Sequence, residues 1–235
     1  DPLSLHDALP ISLVPGLASR TQEQPKSGTY WQNETELAEI KRYFNQLELD
    51  GLIEIDSSRG STSPAFAVTL PNGFIKVYVD YRRLNYHIQE VPDYDMPYIA
   101  TSIRKARSGT IFTKLSVKDA FQQLRIKEED EHHTRFKTPD GTNYRWKVMP
   151  FGLKNNVAYW QRFMNYLLPA EIHQDVLVYI DDILIFSNNL VAHKRAVVRV
   201  MDVLAAAGIR LNIQICQFNT EITNLGGITI THLGQ

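Results

Sequence analysis

The stretch Val176-Leu177-Val178-Tyr179-Ile180-Asp181-Asp182-Ile183-Leu184-Ile185-Phe186 sets two adjacent acids between two short apolar runs. Short runs rich in β-branched residues and bounded by turn formers read as strands. The aspartates therefore fall at the end of a buried hairpin, where mutual repulsion and partial desolvation both oppose a pair of carboxylates. Divalent cations relieve both costs, and magnesium takes a few carboxylates together with water and substrate phosphates. That arrangement suits two-metal phosphoryl transfer. Taken alone, the dipeptide is better explained as an ordinary acidic turn, because Asp is a routine turn former.

Working outward, His193, Val197, Val200, Met201 and Leu204 recur at helical intervals, with Gly208 as the stop. Leu211–Ile230 is strand-like and rich in Ile and Thr. Upstream, Gly152 precedes a helix with Trp160, Phe163, Met164 and Leu167 on one stripe. Ile111–Val117 reads as a strand that breaks into a helical Asp119–Gln123, and Thr138–Gly141 as a turn. Pro97 suits a helix start, with Ile99, Ile103 and Ala106 on one face and Gly109 as its end. Ala65–Leu70 and Phe74–Val79 flank Pro71-Asn72-Gly73, a hairpin signal. Asn33 and Glu36 have capping-box spacing ahead of Leu37, Ile40, Phe44 and Leu47, and Gly51 closes that helix. Hairpins with intervening helices predict an α+β fold, helices packed on an antiparallel sheet.

With 235 residues, 43% of them hydrophobic, the chain is long enough for one or two cores. Mean hydropathy is -0.26, and no apolar run is long enough to cross a bilayer, so no membrane partner is expected. No secretory signal pattern opens the chain. The single cysteine, Cys216, excludes an intramolecular disulfide framework and a cysteine metal site, and fits a reducing, intracellular setting. Net charge is -1, yet between Arg104 and Lys154 twelve Lys and Arg face six Asp and Glu. Such a local excess is a footprint for a phosphate backbone, or equally an ordinary solvated surface. Pro2–Ile11 resembles the conceptual translation of a sequencing adapter. Residues 1–32 are accordingly expected to be an artefactual or loosely ordered leader without function.

Beyond the aspartates, Tyr179-Ile180-Asp181-Asp182-Ile183-Leu184-Ile185-Phe186-Ser187 closely resembles the signature of reverse transcriptases of gypsy-type long-terminal-repeat retrotransposons. Val79-Asp80-Tyr81-Arg82-Arg83-Leu84-Asn85 is similar to that family's fingers motif. Phe112-Thr113-Lys114-Leu115, followed by Asp119-Ala120-Phe121 and Leu124-Arg125-Ile126, is similar to its first palm motif. Val148-Met149-Pro150-Phe151-Gly152-Leu153 and Leu225-Gly226 match the next blocks, in the family's order and spacing. The resemblance implies the fingers and palm of a right-hand polymerase, with an antiparallel palm sheet packed on helices and no thumb. It assigns 33–90 and 124–151 to the fingers, and 91–123 and 152–235 to the palm.

The implied reaction is template-directed addition of deoxynucleotides to a primer 3′-hydroxyl. Its partners are an RNA or DNA template with primer and deoxynucleoside triphosphates; the cofactors are two Mg2+ ions, with Mn2+ as a substitute. Asp181 and Asp182 are implied as the metal-binding catalytic carboxylates. Phe121 would lie under the incoming sugar and exclude a 2′-hydroxyl, although a core aromatic is the plain alternative. Phe151 and Gly152 would line the nucleotide pocket, with Lys76 and the backbone amides near Val117 and Lys118 at the triphosphate. Leu225 and Gly226 would grip the primer. Asp80 and Arg82 are expected to form an ion pair within the fingers.

The family's third catalytic carboxylate follows Phe-Thr-Lys-Leu directly, and here that position is Ser116. A hydroxyl is a poor magnesium ligand and brings no negative charge. Asp119, where the strand gives way to a helix, is no obvious substitute. Asn156-Val157-Ala158-Tyr159-Trp160-Gln161 also departs from the family's Ala-Pro-Ala-Thr-Phe-Gln. Thr69-Leu70-Pro71 replaces a basic cluster, and Lys76 stands where Arg is usual. A decayed copy that keeps the fold is therefore the first alternative function. An RNA-binding module without catalysis is the second; it leaves the turn aspartates unexplained.

Overall fold

The computed structural model describes residues 30–88, 99–168, 172 and 174–231. The leader before Tyr30 and the helix start expected at Pro97 lie outside the described residues. In chain order the elements are α1 (Glu34–Leu49), β1 (Ile53–Ile55), β2 (Ser63–Thr69), β3 (Ile75–Val79), α2 (Arg82–His87) and α3 (Ile99–Ala106). Then come β4 (Ile111–Ser116), α4 (Glu128–Glu131), β5 (Phe136–Lys137), β6 (Asn143–Trp146) and α5 (Asn156–Leu167). β7 (Val176–Tyr179), β8 (Asp182–Ser187), α6 (Leu190–Ala206), β9 (Gln217–Thr220), β10 (Ile222–Leu225) and β11 (Ile228–Thr231) complete the chain. The described residues fall into two units, one of 30–88 with 124–156 and the other of 99–123 with 157–231. The last division between these units comes after Asn156.

In the first unit α1 opens on a complete capping box. The Asn33 side chain accepts the Glu36 amide at 2.9 Å, and the Glu36 carboxylate accepts the Asn33 amide at 3.1 Å. Ile40, Phe44 and Leu47 are buried, whereas Leu37, expected on the same face, stays at the surface. The Phe44 and Phe136 rings lie 4.6 Å apart in a core with Tyr144, Trp146 and Ile53. Strand order in this sheet is β1-β6-β5-β2-β3, antiparallel except for β2 beside β5. β2 and β3 pair from Ala65↔Val79 to Thr69↔Ile75 about the Pro71-Asn72-Gly73 turn. Tertiary contacts include residues before Asn33: Gln32 accepts the Ala67 amide at 2.6 Å, and the Tyr30 ring packs 4.6 Å from Phe66.

Much of the local positive charge is used internally. Arg135 and Asp56 form a buried pair at 3.1 Å, Arg145 pairs with Glu54 and Glu131, and Lys147 with Glu54 at 2.8 Å. With Lys114 and Lys127, at least five of the twelve bases have carboxylate partners among the described residues, so the phosphate footprint is smaller than the sequence count suggests.

The second unit is built on a four-stranded antiparallel sheet in the order β7-β8-β4-β9, and β10 and β11 form a separate hairpin. Side chains alternate across a strand, so Phe112, Lys114 and Ser116 of β4 share one face while Thr113 and Leu115 share the other. The second face packs against α6, whose His193, Ala196, Val200 and Leu204 are buried. Of the others expected on the same stripe, Val197 lies at its edge and Met201 is exposed. The first face is covered at its Phe112 end by α3 and the β10–β11 hairpin, through Ile103, Ala106, Leu225 and Ile230 packed with Phe112, Leu184 and Phe186. Its opposite end carries Ser116 and Asp182. The helical stretch expected over Asp119–Gln123 is a single 3-10 turn, Ala120–Gln123.

Candidate active site

The register of β4 with β8 places Ser116 directly opposite Asp182 and Lys114 opposite Leu184. Directly opposed side chains on one face are close neighbours, and diagonal ones come within reach when one is long. The contacts follow that rule. Ser116 Oγ donates to Asp182 Oδ1 at 2.6 Å, and Lys114 Nζ approaches Asp182 Oδ2 diagonally at 3.9 Å. Lys114 also donates to Asn224 Oδ1 at 2.7 Å. Ser116 itself is buried and held by its backbone, its carbonyl accepting the Asn212 amide at 2.8 Å and its amide facing Cys216 Sγ at 3.3 Å.

Tyr179 pairs with Asp182, so the hairpin turns on Ile180 and Asp181 alone. Ile180 has φ +52, a left-handed conformation that a β-branched residue strongly resists. Its surroundings hold it there. Trp160 Nε1 donates to the Ile180 carbonyl at 2.7 Å, and Gln161 accepts the Ile180 amide at 3.2 Å while donating to Val178 O at 3.2 Å. The Asp181 carbonyl accepts the Val117 amide at 2.7 Å, tying the turn to the end of β4. Sequence reasoning placed Trp160 on a core stripe and missed the clamp. The Trp for Phe departure was its only sequence signal, since indole adds an N–H that must find an acceptor when buried.

Asp181 reaches solvent and makes no hydrogen bond or ion pair among the described residues through its carboxylate. Partial shielding by the protein, then the charges of Asp182 and Asp119, push its carboxyl above the usual range. Asp119, at φ +46, is thus near enough to be felt electrostatically. Even so, no group of three His, Cys, Asp or Glu is gathered for a metal ion among the described residues. The set comprises one available carboxylate, a second engaged by Ser116 and Lys114, and a hydroxyl in the third place. These residues do not fit a pair of divalent ions, each of which needs oxygen ligands and compensating negative charge.

The remaining predicted residues are distributed as follows. The Val117 amide is taken by Asp181, and the Lys118 amide donates to Arg210 O at 2.9 Å, so neither is open to a phosphate in this arrangement. Phe121 is half-buried in the 3-10 turn. Leu225 has 0% exposure and anchors the β10–β11 hairpin in the core, leaving Gly226 at its tip. In the other unit, Lys76 lies on the outer face of β3 and Phe151 is 48% exposed. The turn after Phe151 is fixed by Asn85, which donates to Gly152 O at 2.7 Å and accepts the Lys154 amide at 2.9 Å. That gives Asn85 of the fingers-like motif a structural task. Asp80 and Arg82 form the expected ion pair at 2.8 Å, joined by the Tyr30 hydroxyl at 2.6 Å; Arg82, then Tyr30, hold the Asp80 carboxyl well below its usual range.

A helix-backed antiparallel sheet with twin aspartates at a hairpin turn, beside a strand end that offers a third position, defines the palm class of nucleic-acid polymerase. The chain belongs to the reverse transcriptase (RNA-dependent DNA polymerase) family, whose profile matches residues 72–229. It is 32% identical over 192 residues to the Transposon Tf2-3 polyprotein of Schizosaccharomyces pombe, covering 81% of this chain and 14% of that protein. To an enzymatic polyprotein of Cassava vein mosaic virus it is 29% identical over 208 residues, 86% of this chain and 31% of that one. The chain thus spans under a third of the length of these relatives. The fold is that of the foamy viral protease-reverse transcriptase in complex with RNA/DNA hybrid, with a TM-score of 0.82 at 19% identity over 97% of this chain and 30% of that one. The same foamy viral enzyme in complex with double-stranded DNA gives 0.78 at 19% identity, over 95% and 44%. No helix among the described residues is long and apolar enough to cross a membrane.

Proposed function

We propose that this chain is the fingers (30–88 with 124–156) and palm (99–123 with 157–231) of a reverse transcriptase that retains the binding framework but has lost most of its chemical step. The family reaction is addition of deoxynucleotides to a primer 3′-hydroxyl on an RNA or DNA template, assisted by divalent cations. One observation carries the reading of this copy: Ser116 stands in the third carboxylate position and its hydroxyl holds Asp182 at 2.6 Å. Binding of primer and template is supported by the fold shared with reverse transcriptases that bind such duplexes. The resemblance carries over Lys76, Phe151 and Gly152 of the fingers and, separately, Phe121 of the palm as nucleotide contacts, and Gly226 as the primer contact at the hairpin tip.

Primer extension by the purified protein, beside a Ser116→Asp variant, tests this reading. Restoring the carboxylate is expected to raise single-nucleotide incorporation at least about a thousandfold, which corresponds to roughly 4 kcal/mol of transition-state stabilisation. Binding of primer–template is expected to be the same in both forms. Robust extension by the protein with Ser116 would refute the loss of chemistry. Duplex affinity that ignores both Mg2+ and deoxynucleotides, with no extension by either form, would favour a binding module.

A further inference from the structure

Lys114 stands out because it bridges two features that the family roles keep separate. Its stem runs along the covered face of β4, between Phe112 and Ser116, and the side chain is only 12% exposed. Its ammonium sits between the Asn224 amide oxygen at 2.7 Å and the Asp182 carboxylate at 3.9 Å. Asn224 belongs to the β10–β11 hairpin that Leu225 anchors, so one cation links that hairpin to the twin-aspartate turn. Because Ser116 is neutral, Lys114 is the one cation paired with Asp182 among the described residues.

We propose that Lys114 acts as the resident counter-ion of this site, neutralising Asp182 in place of a metal and competing with any divalent ion that approaches it. This rests on the reading of Asp182 as a former metal carboxylate. The physical basis is simple: an ammonium beside a carboxylate offsets its charge and so weakens its attraction for any other cation that approaches. With Ser at position 116 the ammonium leaves one net negative charge on the Asp181–Asp182 pair, where a third carboxylate would have left two, so Lys114 offsets a larger share of the charge here. Lys114 is thereby a positioning residue: it offsets the charge of Asp182 and, through Asn224, ties the β10–β11 hairpin to β4.

Titration of the purified protein with Mn2+, read from the EPR signal of the free ion, tests the proposal. Lys114→Met and Lys114→Gln keep most of the stem and remove the charge; Lys114→Arg keeps the charge. The neutral variants are expected to bind Mn2+ about tenfold more tightly than the wild type. The Arg variant is expected to stay at the wild-type value, and Asp182→Asn to abolish the gain. Equal affinity in wild type and neutral variants, no measurable Mn2+ binding in any form, or tight binding by the Arg variant would each overturn it. Folding of each variant is checked by circular dichroism, and two neutral substitutions keep the test alive if one fails to fold. Rescue of primer extension by Ser116→Asp is a separate readout, so failure of the counter-ion role and failure of the reading on which it rests are told apart.

Discussion

The β7–β8 and β10–β11 hairpins both reverse over two residues, Ile180-Asp181 in one and Gly226-Gly227 in the other. Gly226 and Gly227 have φ +56 and +80, which glycine adopts without cost and which suits the twist of a two-residue hairpin. Ile180 takes φ +52 against its own sterics and needs Trp160, Gln161 and Val117 to keep it there. A relaxed turn would have freed the helix behind it from this task. The strained one locks the direction of Asp181 to α5 and β4, so the surroundings, not the turn sequence, position the acid.

That contrast leads to a ranked set of outcomes. Gln161→Ala removes a fully buried amide that serves both Ile180 and Val178, and should cost about 3 kcal/mol in denaturant unfolding. Trp160→Phe keeps the ring and loses the N–H to Ile180, for a cost of about 1–2 kcal/mol. Equal stability of either variant with wild type would mean the clamp is incidental. Gly227→Val should cost about 1–2 kcal/mol by conformation alone, since no atom within 4 Å would meet a new Cβ. Ile180→Gly, by contrast, should fall within about 1 kcal/mol of wild type, because released strain offsets the added freedom of the unfolded chain.

Acid separates the sheet's two faces in the same unit. His193, wholly buried behind β4, bonds Thr113 Oγ1 at 2.8 Å through Nε2 and Ser187 Oγ at 2.9 Å through Nδ1. Burial pushes its pKa below 6.5, so the unfolded chain takes up the proton more readily. Its contribution is complete above about pH 6.5 and is lost as pH falls from there through the lowered folded value. Denaturant midpoints at pH 7.5 and 5.5 should differ less in His193→Gln than in wild type; an unchanged difference would remove His193 from the account. The smallest effect is at Asp181, whose raised carboxyl makes its ionised form unfavourable in the fold. Asp181→Asn should stabilise by less than about 1 kcal/mol near pH 7, and the gain should fade as pH falls and the wild-type carboxyl is protonated.

Local patterns were legible in the sequence and tertiary choices were not. The Asn33–Glu36 cap, the Pro71-Asn72-Gly73 hairpin and the strands about Asp181-Asp182 depend on neighbouring residues, so their chemistry could be read directly. The β10–β11 hairpin lay hidden in an Ile- and Thr-rich tail, although Gly226-Gly227 between two such runs was a usable signal. Pairing of β2 with β5 is non-local and left no trace in the pattern. At the site, motif order points to Asp181, Asp182 and Ser116, and the β4–β8 register sets Ser116 opposite Asp182. The engagement of the Val117 and Lys118 amides, the burial of Leu225 and the reach of Lys114 to Asn224 depend on register and packing, which one sequence does not display.

The central claim is that a single missing carboxylate, in an otherwise formed palm, separates this chain from DNA synthesis. Single-turnover incorporation of one deoxynucleotide, compared among wild type, Ser116→Asp and Ser116→Asp with Asp181→Asn, measures it directly. The account predicts negligible incorporation by wild type, a gain of about a thousandfold or more on restoring Asp at 116, and loss of that gain when Asp181 is neutralised. Incorporation by wild type equal to that of Ser116→Asp, or a gain that survives Asp181→Asn, would contradict it.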